Sequence, residues 1–128
     1  MLACVWVAPV KAFMTPEISS AMDEANICQE IRSVSAYIEC MTINNNKILT
    51  AIKDQSQVQT QGFSRVKKNR TLKKIDLALK ANLKRCFDEQ SLNHNPASGQ
   101  RRYSYCSYEN MLEILINVSN RIEIYSRR

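Results

Sequence analysis

The chain has 128 residues, of which 45% are hydrophobic and 23% charged, so it fits one globular domain and excludes extended disorder. Its formal net charge of +6 makes polyanions and acidic protein surfaces candidate partners. Hairpin turns, phosphate-binding loops and nucleophile elbows need glycine, and the chain has only Gly62 and Gly99. A β-rich fold and a glycine-loop nucleotide site are therefore disfavoured. Both glycines fall in polar stretches, which we expect to be loops.

The N-terminus has the pattern of a secretory signal peptide. An unbroken apolar run covers residues 2–8, and Val10 and Ala12 suit the −3 and −1 positions of a cleavage site. The run is too short to cross a bilayer, which needs about 20 apolar residues. We therefore predict a signal peptide at 1–12 and a single mature domain at 13–128. The alternative is an N-terminal arm that packs on the core.

The cysteine content also favours secretion. Cys4 lies inside the predicted signal peptide, and its removal leaves the even number that a disulfide framework requires. The four predicted disulfide cysteines are Cys28, Cys40, Cys86 and Cys106. No CxxC pair occurs and the only histidine, His94, lies in a polar stretch, so neither a metal site nor a cofactor is predicted. The alternative is four reduced, buried thiols in a cytosolic protein.

The remaining short motifs point away from catalysis. Asn69 and Asn117 each begin an Asn-x-Ser/Thr sequon and are candidate glycosylation sites. Glu109 and Glu113 are four residues apart on a predicted helix, a spacing that is usual on helix surfaces. No nucleophile elbow, phosphate-binding loop or metal motif occurs, so we expect no enzymatic activity and no catalytic residue.

Apolar periodicity predicts an all-α domain, a small bundle of three long helices and one short helix. Thr15 and Pro16 favour a helix start, and the first helix is predicted over residues 16–42. Its apolar positions are Ile27, Ile31, Val34, Ile38 and Met41. The run Asn44–Asn46 is expected to break the helix, because asparagine competes for backbone hydrogen bonds. A short second helix then covers 46–55.

Two polar stretches, 55–70 and 91–105, are predicted loops. The third helix lies between them, at 71–89. Its predicted core stripe is Leu72, Ile75, Leu79, Leu83 and Cys86 or Phe87. Ser107 is the predicted N-cap of the last helix. The buried face of that helix is predicted to be Met111, Leu112, Leu115, Val118, Ile122 and Tyr125.

A continuous first helix would restrict disulfide pairing. Cys28 and Cys40 would lie roughly 18 Å apart at about 1.5 Å per residue. A disulfide needs its Cα atoms within about 7 Å. If the 91–105 loop runs the height of the bundle, the expected bridges are Cys28–Cys86 and Cys40–Cys106.

Basic residues concentrate in one segment. Residues 65–85 contain nine basic residues and one acid, a local charge of +8. Within it, Lys73, Leu77, Lys80 and Lys84 share a stripe away from the core stripe, and a leucine exposed among lysines predicts a partner contact. Partners of such a segment include a protein surface, heparin-like polyanions and nucleic acid. The alternative is a solvated face that balances the acidic first helix, with Leu77 buried against residues 55–70.

The start of the last helix reads Cys106-Ser107-Tyr108-Glu109-Asn110-Met111-Leu112-Glu113-Ile114-Leu115. A cysteine before an acidic start, followed by Leu-Glu-x-Leu, resembles the final helix of short-chain four-helix-bundle cytokines, the group of interleukin-2, interleukin-4 and interleukin-21. The resemblance implies a secreted protein of immune responses that binds a receptor through its first, third and last helices. Those cytokines have a long crossover between their first two helices, where this sequence offers only Asn44–Asn46.

Two functions follow from these patterns. The first is a secreted helical ligand for a cell-surface receptor protein, without a membrane span. The second is an intracellular coiled-coil oligomeriser, for example of a virus, whose basic segment neutralises nucleic-acid phosphates. The second reading uses a heptad-like register with one asparagine at a seam position. That register is Ile31, Val34, Ile38, Met41, Asn45, Ile48 and Ile52.

Overall fold

A computed structural model describes residues 15–91 and 95–127, and every regular element in those ranges is helical. The four long helices and one single-turn helix are α1 (Pro16–Gln29), α2 (Val34–Gln59), α3 (Arg65–Ser91), α4 (Pro96–Arg121) and α5 (Glu123–Ser126). The all-α prediction is confirmed for these residues. The predicted signal peptide 1–12, its alternative as an arm, and His94 lie outside the described residues.

The first predicted helix is in fact two helices. Thr15 caps α1 as expected, but α1 ends at Gln29. Ser33 then caps α2 by accepting the backbone N–H of Ala36 at 3.4 Å. The chain reverses between them, across residues 30–33, so that α1 and α2 pack antiparallel. The apolar register continues through the turn, and neither glycine nor proline marks it, which is why periodicity alone predicted one helix.

The asparagine run does not break α2. Asn44 is buried, and its Nδ2 donates to the backbone oxygen of Ala21 in α1 at 3.0 Å. The side chain is therefore engaged by another helix and does not compete for the backbone of its own helix. The predicted short helix 46–55 is accordingly part of α2, which continues to Gln59.

Both predicted loops are largely helical. The 55–70 loop reduces to residues 60–64, because α3 already begins at Arg65. In the 91–105 loop, α4 begins at Pro96, a residue that suits the first helical position. Gly99 and Ser107 are both buried inside α4, so the prediction that Ser107 caps the last helix is wrong.

Helix α4 lies at the centre of the packing, because it contacts α1, α2 and α3, while α3 also contacts α5. The face predicted for the last helix is confirmed in α4, where Met111, Leu115 and Val118 are buried and Leu112 is partly buried. Its last two members lie beyond α4, with Ile122 buried at the junction with α5 and Tyr125 partly buried in α5. In α3, Cys86 and not Phe87 completes the core stripe, since Phe87 is 60% exposed. The heptad-like residues Met41, Ile48 and Ile52 are buried against helices of the same chain.

All four predicted cysteines form disulfides, but the predicted pairing is wrong. Cys28 pairs with Cys40 and Cys86 pairs with Cys106, at Cα–Cα distances of 5.7 and 5.6 Å. The turn at 30–33 brings the first pair together, and the early start of α4 brings the second pair together. Each disulfide therefore closes one helical hairpin, α1–α2 or α3–α4, and neither joins the two hairpins.

Candidate interaction surface

One face of α3 exposes apolar and basic side chains in a continuous line, which we call the α3 stripe. Its members are Val66, Lys73, Leu77, Lys80, Lys84 and Phe87. They recur at steps of three, four or seven, which places them on the same side of a helix. The three apolar members, Val66, Leu77 and Phe87, are 73%, 53% and 60% exposed. Leu77 is therefore not buried against residues 55–70.

The sequence had indicated four members of the α3 stripe, and all four are exposed. The sequence does not indicate the other two apolar members, because Val66 lies in a polar stretch and Phe87 is next to the core stripe. With both included, the stripe spans 22 residues, or about 33 Å at about 1.5 Å per residue. The three apolar side chains lie about 15 Å apart along α3, so they offer a protein partner separate anchor points among the lysines and do not form one apolar patch.

The net charge of the molecule resides on α3. This helix contains nine basic and three acidic residues, a net +6 that equals the formal charge of the whole chain. The acidic helix α1 makes its extensive contacts with α2 and α4 and not with α3. Lys80 and Lys84 pair with acids on α3 itself, Asp76 and Asp88, both at 2.9 Å. These pairs are exposed and stabilise little, so the lysines remain available to a partner.

Lys67 belongs to the fold and not to the α3 stripe. Its Nζ lies 4.0 Å from the ring centroid of Phe63 and 3.5 Å from Glu123 Oε2 in α5. A hydrogen bond from the Ser126 hydroxyl and the charge of Lys67 lower the pKa of Glu123. These contacts hold the start of α3 against α5.

A second surface feature is an open groove of about 750 Å³, whose lining includes Cys106 of the second disulfide. Arg101 of α4 reaches across to the 30–33 turn, where its Nη2 and Nη1 donate to the carbonyl oxygens of Ile31 (3.1 Å) and Arg32 (3.3 Å). Its guanidinium also lies 4.1 Å from the ring centroid of Tyr37. Arg101 thus links the two disulfide-closed hairpins by non-covalent contacts.

The charges that line this groove are balanced. Three arginines face three glutamates, and they are Arg85, Arg101, Arg102, Glu89, Glu109 and Glu113. Asn110 bonds to Arg85 and to both sulfurs of the Cys86–Cys106 disulfide, so it is held by the fold. A groove without excess charge, in which Gln29 bonds to Tyr37 and Arg85 bonds to Asn110, selects a ligand less strongly than the α3 stripe does.

The two sequons lie in different environments. Asn69 is exposed on α3, whereas Asn117 is half-buried on α4 and its Oδ1 accepts a hydrogen bond from Arg121 at 3.1 Å. In both sequons the hydroxyl of the third residue is buried, in Thr71 as in Ser119, so the two sequons differ in the exposure of the asparagine itself. Asn69 is therefore the more accessible acceptor in the folded protein, and its glycosylation stays a prediction.

Within residues 15–91 and 95–127, no three His, Cys, Asp or Glu residues are grouped as a metal site would require. Among the same residues, no helix has the length and apolar character of a membrane span. Comparisons with protein-family models, curated proteins and solved structures give no match for this chain. The α3 stripe is the feature on which a functional proposal rests.

Proposed function

We propose that this protein is a secreted helical ligand that binds a cell-surface receptor protein through the α3 stripe. The observation that carries the proposal is the coincidence of two properties on one helix, α3, whose stripe presents three lysines beside the apolar side chains. All of the net positive charge and three large exposed apolar side chains lie on α3. Apolar anchors supply binding energy, while surrounding lysines steer association with an acidic partner surface.

Secretion is part of the proposal. Two disulfides are usual in small extracellular proteins and rare in reducing compartments. The proposal includes cleavage after Ala12, so that the mature chain begins at Phe13. The intact mass of protein from a secreting host, before and after reduction, measures both processing and oxidation.

A protein receptor is favoured over a polyanion or nucleic acid. Electrostatic binding of phosphates or sulfates uses basic residues and has no need of exposed Val66, Leu77 and Phe87. Base-stacking on single strands would need aromatic residues among the basic ones, and Phe87 is the only aromatic member of the stripe. The connectivity of the helices does not add to the proposal, because a four-residue turn, 30–33, joins the first two helices, where the short-chain cytokines have a long crossover.

The experiment measures binding of the labelled, oxidised protein to cells of the source organism. We expect saturable binding that is lost when the cells are treated with trypsin and retained after heparinase treatment. Leu77→Asp and Phe87→Asp should each weaken binding at least about tenfold, the loss typical of a central anchor. Lys73→Glu should weaken it and reduce its salt dependence.

The matched controls are Ile43→Asp and Lys47→Glu, which alter exposed residues of α2 away from the stripe. Both should bind as the wild type does. Binding that disappears with heparinase alone would assign the stripe to polyanions. Binding that is unchanged by all three stripe variants, or nucleic-acid binding without any cell binding, would overturn the proposal.

A further inference from the structure

Helix α1 carries an exposed ridge whose pattern is the charge complement of the α3 stripe. We define the α1 ridge as Asp23, Ile27 and Glu30, all of which are exposed, with Ile27 60% exposed. Glu30 is the C-cap of α1 and retains helical backbone angles, so the three side chains follow one helix face. Ile27 is therefore an exposed apolar side chain with an exposed acid on either side of it, and all three are accessible to another molecule.

The spacing of the α1 ridge matches the centre of the α3 stripe. In α1, an acid, an apolar residue and an acid stand at steps of four and three, Asp23, Ile27 and Glu30. In α3, a base, an apolar residue and a base stand at the same steps, Lys73, Leu77 and Lys80. If Ile27 of one face meets Leu77 of the other, an acid lies opposite a base on each side of that contact. This holds for both the parallel and the antiparallel orientation of the two helices, because each pattern has the same charge at both ends.

The two faces do not meet within one molecule. The extensive contacts of α1 are with α2 and α4, while those of α3 are with α4 and α5. Asp23, Ile27 and Leu77 are exposed in the single chain for the same reason. The complementary surface must therefore come from another molecule.

We propose that a second copy of this chain docks its α3 stripe on the α1 ridge. The contact is heterologous, because it joins two different surfaces, so it repeats from copy to copy and forms a series of oligomers unless the series closes. The α1 ridge spans only eight residues, about 12 Å, so the contact is small and the association is weak and concentration-dependent. The same contact covers Leu77, so self-association would mask the receptor-binding surface; this last consequence alone rests on the proposed function.

Sedimentation velocity of the oxidised protein over a range of concentrations tests the contact. At low salt, about 0.01 M, we expect the mean mass to rise with concentration. At about 1 M salt, where the Debye length is about 3 Å, we expect monomer. A single monomeric species at every concentration in low salt would overturn the proposal.

Charge reversal makes the test specific to the two faces. Asp23→Lys with Glu30→Lys reverses the α1 ridge, and Lys73→Glu with Lys80→Glu reverses the α3 stripe. In each double variant, the α1 ridge and the α3 stripe carry charges of the same sign and repel each other between copies. Each double variant alone should therefore stay monomeric. An equimolar mixture restores opposite charges at both contacts and should associate as the wild type does.

The control variant, Asp54→Lys with Lys47→Glu, changes the same number of exposed charges on α2 and should associate normally. A mixture of the reversed variants that remains monomeric would overturn the docking of α3 on α1. Circular dichroism confirms that each variant is folded. Cell binding is measured separately with the ridge-reversed variant, which retains the α3 stripe. Failure of the receptor proposal is thereby distinguished from failure of self-association.

Discussion

Asn44 and Arg101 are polar side chains that connect separate elements of the fold. Asn44 joins α2 to the backbone of α1, and Arg101 joins the start of α4 to the turn at 30–33. Arginine suits position 101 because its planar guanidinium can donate to two carbonyl oxygens and stack on the Tyr37 ring at the same time. Neither role was predictable from local sequence, since each depends on backbone oxygens that the turn at 30–33 brings near.

Replacement of Asn44 by alanine is expected to destabilise the protein by about 1–2 kcal/mol, because a buried hydrogen bond is lost and a small cavity is left. The free energy of unfolding from urea denaturation measures the effect. Asn46→Ala is the matched control, because Asn46 is exposed two residues away on the same helix. It should change that free energy by less than about 0.5 kcal/mol. Equal losses from both variants would contradict the role given to Asn44.

At the scale of elements, α5 acts as a short brace on the start of α3. Its first residue, Glu123, accepts a hydrogen bond from Ser126 and pairs with Lys67. A single helical turn has little stability of its own, so contacts to α3 and the core hold it. Ionised Glu123 is favoured by these partners, and its pKa is therefore lowered in the folded state.

The pH dependence of this brace has a definite sign. Because folding lowers the pKa of Glu123, its contribution to stability is present above the unfolded-state pKa and is lost as the pH falls through the folded-state pKa. Ser126→Ala removes the hydrogen bond that is the main cause of the lowered pKa of Glu123, so it should raise that pKa toward its ordinary value. NMR titration of the Glu123 side-chain carboxyl carbon measures the change. Ser35→Ala, an exposed serine of α2, should leave the Glu123 titration unchanged.

Sequence periodicity predicted the faces of the helices better than their ends. The buried face of α4 and most of the core stripe of α3 were predicted correctly, because each depends on the spacing of apolar residues. The ends of the helices depend on capping and on tertiary contacts, and neither can be inferred from the spacing of apolar residues. Polar residues 65–70 and 96–105 were predicted as loops, yet they continue helices whose other faces are buried. For the same reason Val66 was missed as a member of the candidate surface.

At the scale of the whole molecule, the protein consists of two covalently closed hairpins joined by residues 60–64. The contact between α2 and α4 holds the hairpins together, and Arg101 adds to it. Each disulfide should contribute about 2–4 kcal/mol. Neither disulfide crosses from one hairpin to the other.

Cleavage between the hairpins tests this covalent arrangement. A side chain at Gly62 would meet no atom within 4 Å, so a protease site placed there should be tolerated. After cleavage, the two fragments should separate on a denaturing gel without reductant. The pairing first expected, Cys28–Cys86 with Cys40–Cys106, would hold them together until reduction. A single non-reduced band after complete cleavage would therefore contradict the local pairing.

The local pairing has a consequence for how the protein matures. The two disulfides join residues 12 and 20 positions apart, so both rings are short and the entropic cost of closing them is small. If the protein is secreted as proposed, the Cys28–Cys40 disulfide can form before the C-terminal half of the chain has been synthesised, because it needs no residue beyond Cys40. The Cys86–Cys106 disulfide likewise lies within its own hairpin, whereas the packing of α2 on α4, the most extensive contact between helices, requires both halves of the chain.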